Sequence, residues 1–215
     1  FRAYIARKSE FESYFKHGKR VSSPQGTIRF ETPPGKQAQL DWKESIPFET
    51  REGEKVEINV AVLLLSYSRF RQYFMSISRS QSVLLSFLTE AFEKIGGVPH
   101  EILSDNMKTV MDEARTEYTF GKVNAKFAQF AKDFGFTVRP CVAGRPRTKG
   151  KVEAQMKLLD EIHAYQGKLS LPELQAFIEQ LCNRVNQSFH QGTGKVPILA
   201  LEMEKNSLHP LPAER

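Results

Sequence analysis

The sequence predicts an α/β domain built on a mixed five-stranded sheet, an antiparallel meander plus two parallel strands, flanked by helices. Three observations predict it. The β-prone segments of the first half follow one another across short polar turns, which makes neighbours antiparallel. Two later apolar segments are each reached through a helical stretch, and a crossover of that length delivers parallel strands. The helical stretches carry apolar residues on one stripe only, as helices packed on a sheet do.

Taken in order, residues 1–20 read as a helix with Phe1, Tyr4, Ile5, Phe11, Tyr14 and Phe15 on broad helical spacing. It ends in the basic run Lys16-His17-Gly18-Lys19-Arg20. Residues 21–35 hold Pro24, Gly26, Pro33, Pro34 and Gly35 and read as a linker or arm. The main domain is expected over 36–190. Residues 37–42 form a short first strand, and 47–55 are polar and turn-rich. Residues 56–67 are strongly β-prone, and the core VAVLLL suits a central strand buried on both faces. A tight turn at 66–69 leads to a returning strand at 70–78.

Ser80 caps a helix whose stripe is Leu84, Leu88, Ala91, Phe92 and Ile95, and Gly96-Gly97 stops it. A fourth strand at 98–103 ends in Ser104-Asp105-Asn106. Residues 108–121 are polar and carry no assignable pattern. Val123, Phe127, Phe130 and Phe134 mark an amphipathic helix over 122–134, ended by Gly135, and 136–141 form the fifth strand. A basic loop precedes a helix over 149–165 with Val152, Met156, Leu159 and His163 as its buried stripe. Ser170-Leu171-Pro172-Glu173 is a capping box with proline in the first turn, opening a helix that buries Leu174, Phe177, Ile178, Leu181 and Val185. Residues 191–215 are expected to be a tail over the surface.

A chain of 215 residues with net charge +6 is long enough for one good core and favours an acidic partner, of which nucleic acid is the commonest. Cys141 and Cys182 are far apart, with no CxxC pair, which points away from zinc and from a disulfide framework. A reducing cytoplasm fits. The longest apolar run, 60–65, is far short of the roughly 18 residues that span a membrane. The chain opens on Phe1 without a signal-peptide pattern and reads as part of something longer.

Three carboxylates stand out. Asp41 lies in the first strand between Leu40 and Trp42, a costly place for an unpaired acid. Asp105 lies just past the fourth strand, where open α/β sheets form their sites. Glu153 starts the helix after the fifth strand, one residue off its buried stripe. If strands one and four are neighbours, Asp41 and Asp105 converge. Three converging acids repel, and oxygen-only ligation suits Mg²⁺ or Mn²⁺. Such sites commonly hold two ions bridged by a substrate phosphate. Each acid also has a plainer reading: a strand acid bonded to backbone N–H groups, an Asx turn at Asp105-Asn106, and an i,i+4 pair of Glu153 with Lys157.

Set in QLDW, LSDN and RPRTKGKVE, these acids resemble the DDE signature of the integrase/transposase catalytic core, an RNase H-like fold. The likeness covers about 36–190. It is closer still to the IstA-type transposases of bacterial insertion sequences, through ETPPGKQAQLDW and NQSFHQGTGKVP. The resemblance implies that Asp41, Asp105 and Glu153 are the catalytic metal ligands. It implies nicking at transposon ends and transfer of the freed 3′-hydroxyls into target DNA. It further implies several transposase subunits on paired ends and an AAA+ ATPase partner of the IstB type in a bacterial cytoplasm, at the nucleoid. A spacing of 48 residues from Asp105 to Glu153 exceeds the compact integrase pattern, and 108–121 accommodates the excess.

Arg145, Arg147, Lys149 and Lys151 then read as contacts to DNA phosphates, with Lys108 on the far side of the site. Asn106 either supports Asp105 or only closes a turn. A nuclease of the same fold that only hydrolyses, and a DNA-binding module with a decayed site, are the alternatives. HQGTGK (190–195) ends like a phosphate loop but has Phe189 and Val196 where that motif needs Gly and Ser/Thr. His163, on an apolar stripe, reads as a core histidine rather than a ligand.

Overall fold

The computed structural model of the protein describes residues 32–142 and 156–213. The expected N-terminal helix and the basic stretch 145–153 lie outside the described residues. Strands β1 (Gln37–Glu49), β2 (Lys55–Leu65) and β3 (Arg71–Ser76) form the antiparallel meander. Helix α1 (Gln81–Ile95) leads to β4 (Glu101–Ser104). A two-stranded hairpin, β5 (Met111–Glu113) and β6 (Lys122–Val123), stands apart from the main sheet. Helix α2 (Ala125–Phe134) leads to β7 (Thr137–Pro140). The main sheet runs β3-β2-β1-β4-β7, with β1, β4 and β7 mutually parallel. This is the mixed sheet the sequence predicts.

Residues 58–65 of β2 are buried without a break, because helices cover both faces of the sheet. On one face Ala38, Leu40 and Trp42 pack with Leu84, Leu88 and Phe92 of α1 and Phe127 of α2. Phe92 lies 5.4–6.5 Å from the rings of Phe130, Phe134 and Phe136, so truncating it would cost about 3–5 kcal/mol. On the other face Val60, Val62 and Leu64 meet Leu159 and Ile162 of a 3-10 helix (Lys157–Tyr165) and Leu174, Ile178 and Leu181 of α3 (Leu171–Gln187). The capping box of α3 forms as predicted, Ser170 and Glu173 each bonding the other's backbone N–H.

Side-chain amides close the β3 edge of the sheet and the part of β1 that runs on past β4. Asn186 accepts from the Arg71 N–H at 3.0 Å and donates to its carbonyl at 2.8 Å, standing in for a further strand beside β3. Gln166 does the same for β1, accepting from Glu49 N and donating to Pro47 O. At the β3–α3 seam burial pushes the Arg71 guanidinium below its ordinary pKa and the Tyr73 hydroxyl and Cys182 thiol above theirs.

Several boundaries differ from the sequence reading. The first strand does not stop at Trp42 but continues to Glu49 through a bulge between Lys43 and Ile46. Asn59, 4% exposed, holds the bulge by accepting from Ser45 N. Pro47 is tolerated because β1 has lost its β4 neighbour by that point and needs no N–H there. Helix α2 begins at Ala125 rather than 122, since the Asn124 side chain caps Lys126 N and Phe127 N. The described part of the 149–165 segment is a 3-10 helix. Its three-residue turn buries Leu159 and Ile162 and leaves His163 exposed, so His163 is not a core histidine.

The stretch after His190 is more than a surface tail. Helix α4 (Pro197–Glu204) ends in Glu204, fully buried, whose carboxylate accepts from Gly35 N at 2.9 Å and Ser68 N at 3.0 Å. A Cβ on Gly35, at φ +70°, would stand 2.1 Å from the Ser207 carbonyl oxygen, so only glycine fits where the two ends of the domain meet.

Candidate active site

The site is built where β4 stops and β1 runs on. The parallel β1–β4 ladder closes on the Leu40–Ser104 pair, and Asp41 and Asp105 are each the next residue along the chain. Adjacent strands lie about 4.8 Å apart, and residues in parallel register point to the same face. Asp41 and Asp105, with Trp42, Glu44, Asn106 and Met107, line one open cleft of about 530 Å³. Both acids are half-buried, and the Trp42 N–H donates to Asp41 Oδ1 at 3.0 Å. Trp42 belongs to the first core cluster and so floors the cleft on a fixed wall.

Asn106, next to Asp105, is tied to two other segments. Its Oδ1 accepts from Arg115 N at 2.8 Å, and its Nδ2 donates to Cys141 O at 3.2 Å. Arg115 in turn donates to Pro140 O at 3.0 Å. These bonds tie the end of β4 to the end of β7 and to the loop after β5. The residue is therefore a brace across strand ends, not merely the close of a turn. Cys141 N donates to Ser104 O at 2.7 Å and prolongs the β4–β7 ladder up to Asp105.

Beyond Asp41 on the same face of β1, Lys43 donates to the Met156 carbonyl at 3.3 Å and to Asp160. That contact brings the chain entering the 3-10 helix to the strand that carries Asp41. The hydrogen bond from Lys43 holds the exposed Asp160 carboxyl below the usual range. Glu44, at the cleft rim, pairs with Arg79 at 2.6 Å.

The structure thus brings together Asp41 and Asp105. Lys108 is exposed in the turn three residues past Asp105 and does not line the cleft. Glu153, Arg145, Arg147, Lys149 and Lys151 lie outside the described residues. Among the described residues no group of three or more His, Cys, Asp or Glu is placed to share a metal ion. The donors lining the cleft, the carboxylates of Asp41 and Asp105 with Glu44 turned to Arg79 and no His or Cys, fit a hard divalent cation rather than zinc. Sequence reasoning missed Trp42, Glu44 and Met107 as cleft residues and Arg115 as a partner of Asn106. Arg115 sits in the stretch without periodicity, which gave it no signal. Among the described residues no helix is long and apolar enough to cross a membrane.

Comparison with known proteins shows the family and the fold. A family model described as the integrase core domain matches residues 31–146. The transposase for insertion sequence element IS232 of Bacillus thuringiensis subsp. berliner is 67% identical over 213 residues, 99% of this chain and 49% of that protein. The transposase for IS21 of Pseudomonas aeruginosa is 32% identical over 160 residues, 74% of this chain and 40% of that protein. The chain spans about half the length of the curated relatives it matches. Among solved structures, a simian T-cell lymphotropic virus intasome chain superposes with TM-score 0.62 at 16% identity, covering 92% of this chain and 64% of that one. The HTLV-2 integrase catalytic core domain in complex with magnesium superposes with TM-score 0.55 at 15% identity, covering 80% of this chain and 99% of that one. The fold is the RNase H-like fold of integrase catalytic cores.

Proposed function

Because the chain belongs to the integrase core domain family, we propose that it is the catalytic core of an insertion-sequence transposase of the DDE type. It nicks DNA at transposon ends and joins the freed 3′-hydroxyls to target DNA. The observation that carries this reading is that Asp41 and Asp105, each next after the last pair of the β1–β4 ladder, line one cleft. The likeness to the IS232 and IS21 transposases supports the reaction class.

Asp41 and Asp105 hold divalent metal, with Glu153 as the third ligand. Support for Glu153 comes from Met156, three residues downstream, whose carbonyl is anchored by Lys43 on the strand that carries Asp41. The metal is Mg²⁺ or Mn²⁺, as two ions. When bound, such ions activate the attacking water or 3′-hydroxyl and stabilise the leaving oxygen of an in-line displacement. The chain's own part is to hold the carboxylates in register, and Asn106 and the Trp42 N–H fix their approach. Arg145, Arg147, Lys149 and Lys151 contact DNA phosphates beside the scissile bond, and Lys108, outside the cleft, contacts a phosphate farther along the strand. The full protein acts as an oligomer on paired ends, with an AAA+ ATPase of the IstB type as its partner.

The test is incubation of the full-length protein with a labelled transposon-end duplex, Mg²⁺ and a target plasmid. Joined products are expected. Cleaved ends that never join would make the protein a hydrolase. Joining that survives Asp41→Asn would remove this cleft from the chemistry.

A further inference from the structure

A second feature is wired to the same strand ends. Between β5 and β6 the chain forms a loop whose tip bears two aromatic side chains, Tyr118 at 94% and Phe120 at 89% exposure. Together with Arg115, Thr116 and Val142 they line a cleft of about 270 Å³. The loop is internally fixed. Thr116 N donates to Thr119 O at 3.1 Å, the two threonine hydroxyls lie 2.9 Å apart, and Tyr118 N donates to Thr116 Oγ1. Its return passes through Gly121 at φ +69°, where a Cβ would stand 2.7 Å from Glu113 O.

The base of the loop is Arg115, which is bonded to Asn106, the neighbour of Asp105, and to Pro140 at the end of β7. The aromatic tip is therefore held in fixed relation to the Asp41–Asp105 cleft. It falls within the excess length between Asp105 and Glu153 that sets this chain apart from the compact spacing.

Two large rings held out in water forgo the burial that aromatic side chains ordinarily gain. Their faces suit a flat, sequence-tolerant π-surface. The rim is made of Arg115, Thr116, Glu117 and Thr119; the guanidinium and hydroxyls suit a base edge or a phosphate, the Glu117 carboxylate suits only the amino group of a base, and the chain as a whole is cationic at +6. We propose that Tyr118 and Phe120 form a stacking platform for an unstacked nucleobase of the substrate DNA, which fixes how the strand enters the cleft. The proposal rests on the reading of the chain as a DNA-acting core. Tyr118 and Phe120 are positioning residues in it.

The experiment uses the full-length protein and a transposon-end duplex with 2-aminopurine placed, in separate duplexes, at each position flanking the cleavage site. Wild type is expected to raise 2-aminopurine fluorescence at one of these positions. Tyr118→Ala and Phe120→Ala are expected to abolish that rise and to raise KM for DNA by roughly ten- to a hundred-fold with kcat largely kept. Phe120→Trp is expected to restore both. Both positions are exposed, and unchanged thermal melting checks that the variants fold.

An absent fluorescence rise in wild type, or alanine variants that match wild type in fluorescence and KM, would overturn the platform. Variants that lose self-association in sedimentation while keeping KM and fluorescence would assign the loop to a protein interface instead. Asp105→Asn separates the two readings. It is expected to keep the fluorescence rise without cleavage, whereas cleavage by that variant would sink the catalytic assignment and leave the platform standing.

Discussion

Asp41 and Asp105 each lie one residue beyond the Leu40–Ser104 pair that closes the β1–β4 ladder, and both line one cleft. Two negative charges at about strand separation repel by on the order of 3 kcal/mol near a protein surface, and a divalent cation turns that repulsion into attraction. Asp41→Asn and Asp105→Asn should each reduce end cleavage and joining by more than about 100-fold, beyond the usual cost of losing a ligand's hydrogen-bond partner. DNA affinity should remain near wild type. Isothermal titration with Mn²⁺ should show weakened metal binding in both. Normal metal binding in either variant would remove that residue from the site.

Asn106 is the link between the β4 and β7 ends. Asn106→Ala should lower activity by about 10–100-fold while the protein stays folded, because Asp105 loses its brace but not its carboxylate. Raising the metal concentration should recover part of the loss. Wild-type kinetics in this variant would reduce Asn106 to a turn residue.

Asn186 satisfies both backbone groups of Arg71 at the β3 edge. Asn186→Ala should cost about 1–3 kcal/mol in urea unfolding, since the buried Arg71 N–H loses its acceptor while the carbonyl keeps the Cys182 thiol. A cost below about 0.5 kcal/mol, the range of ordinary surface changes, would show that water replaces the amide.

Asp160 tests the Lys43 contact through pH. Its carboxyl is depressed in the folded protein by the hydrogen bond and charge of Lys43. A depressed carboxyl contributes stability that is present above its unfolded pKa, about 3.9, and lost as pH falls through the folded value. The stability gap between wild type and Asp160→Asn should therefore persist at neutral pH and close as pH drops below about 4. A gap that holds constant down to the acid limit would mean the pair contributes nothing through charge.

The strand order was legible because each connection carried its own signal. Short polar turns at 50–54 and 66–70 require antiparallel neighbours, and the helices at Gln81–Ile95 and Ala125–Phe134 require parallel ones. Caps with a local mechanism, such as Ser80, Gly96 and the Ser170–Glu173 box, could be read from single residues. Asp41 and Asp105 were legible as candidates because an acid inside an apolar strand and an acid at a strand end are each unusual by themselves.

Tertiary structure alone decided what depends on partners far apart in the chain. The extension of β1 past Trp42 needs Asn59 to hold the bulge, and its open edge needs Gln166. The exposure of His163 follows from a three-residue turn that no heptad-like spacing announces. The buried Glu204 reaches Gly35 across 169 positions of sequence, and Asn106 reaches Cys141 across 35. The sequence by itself determined which residues carry charge and which segments pair. Only the folded chain decided that two acids 64 positions apart line one cleft, because register is set by the packing of both sheet faces, not by local preference.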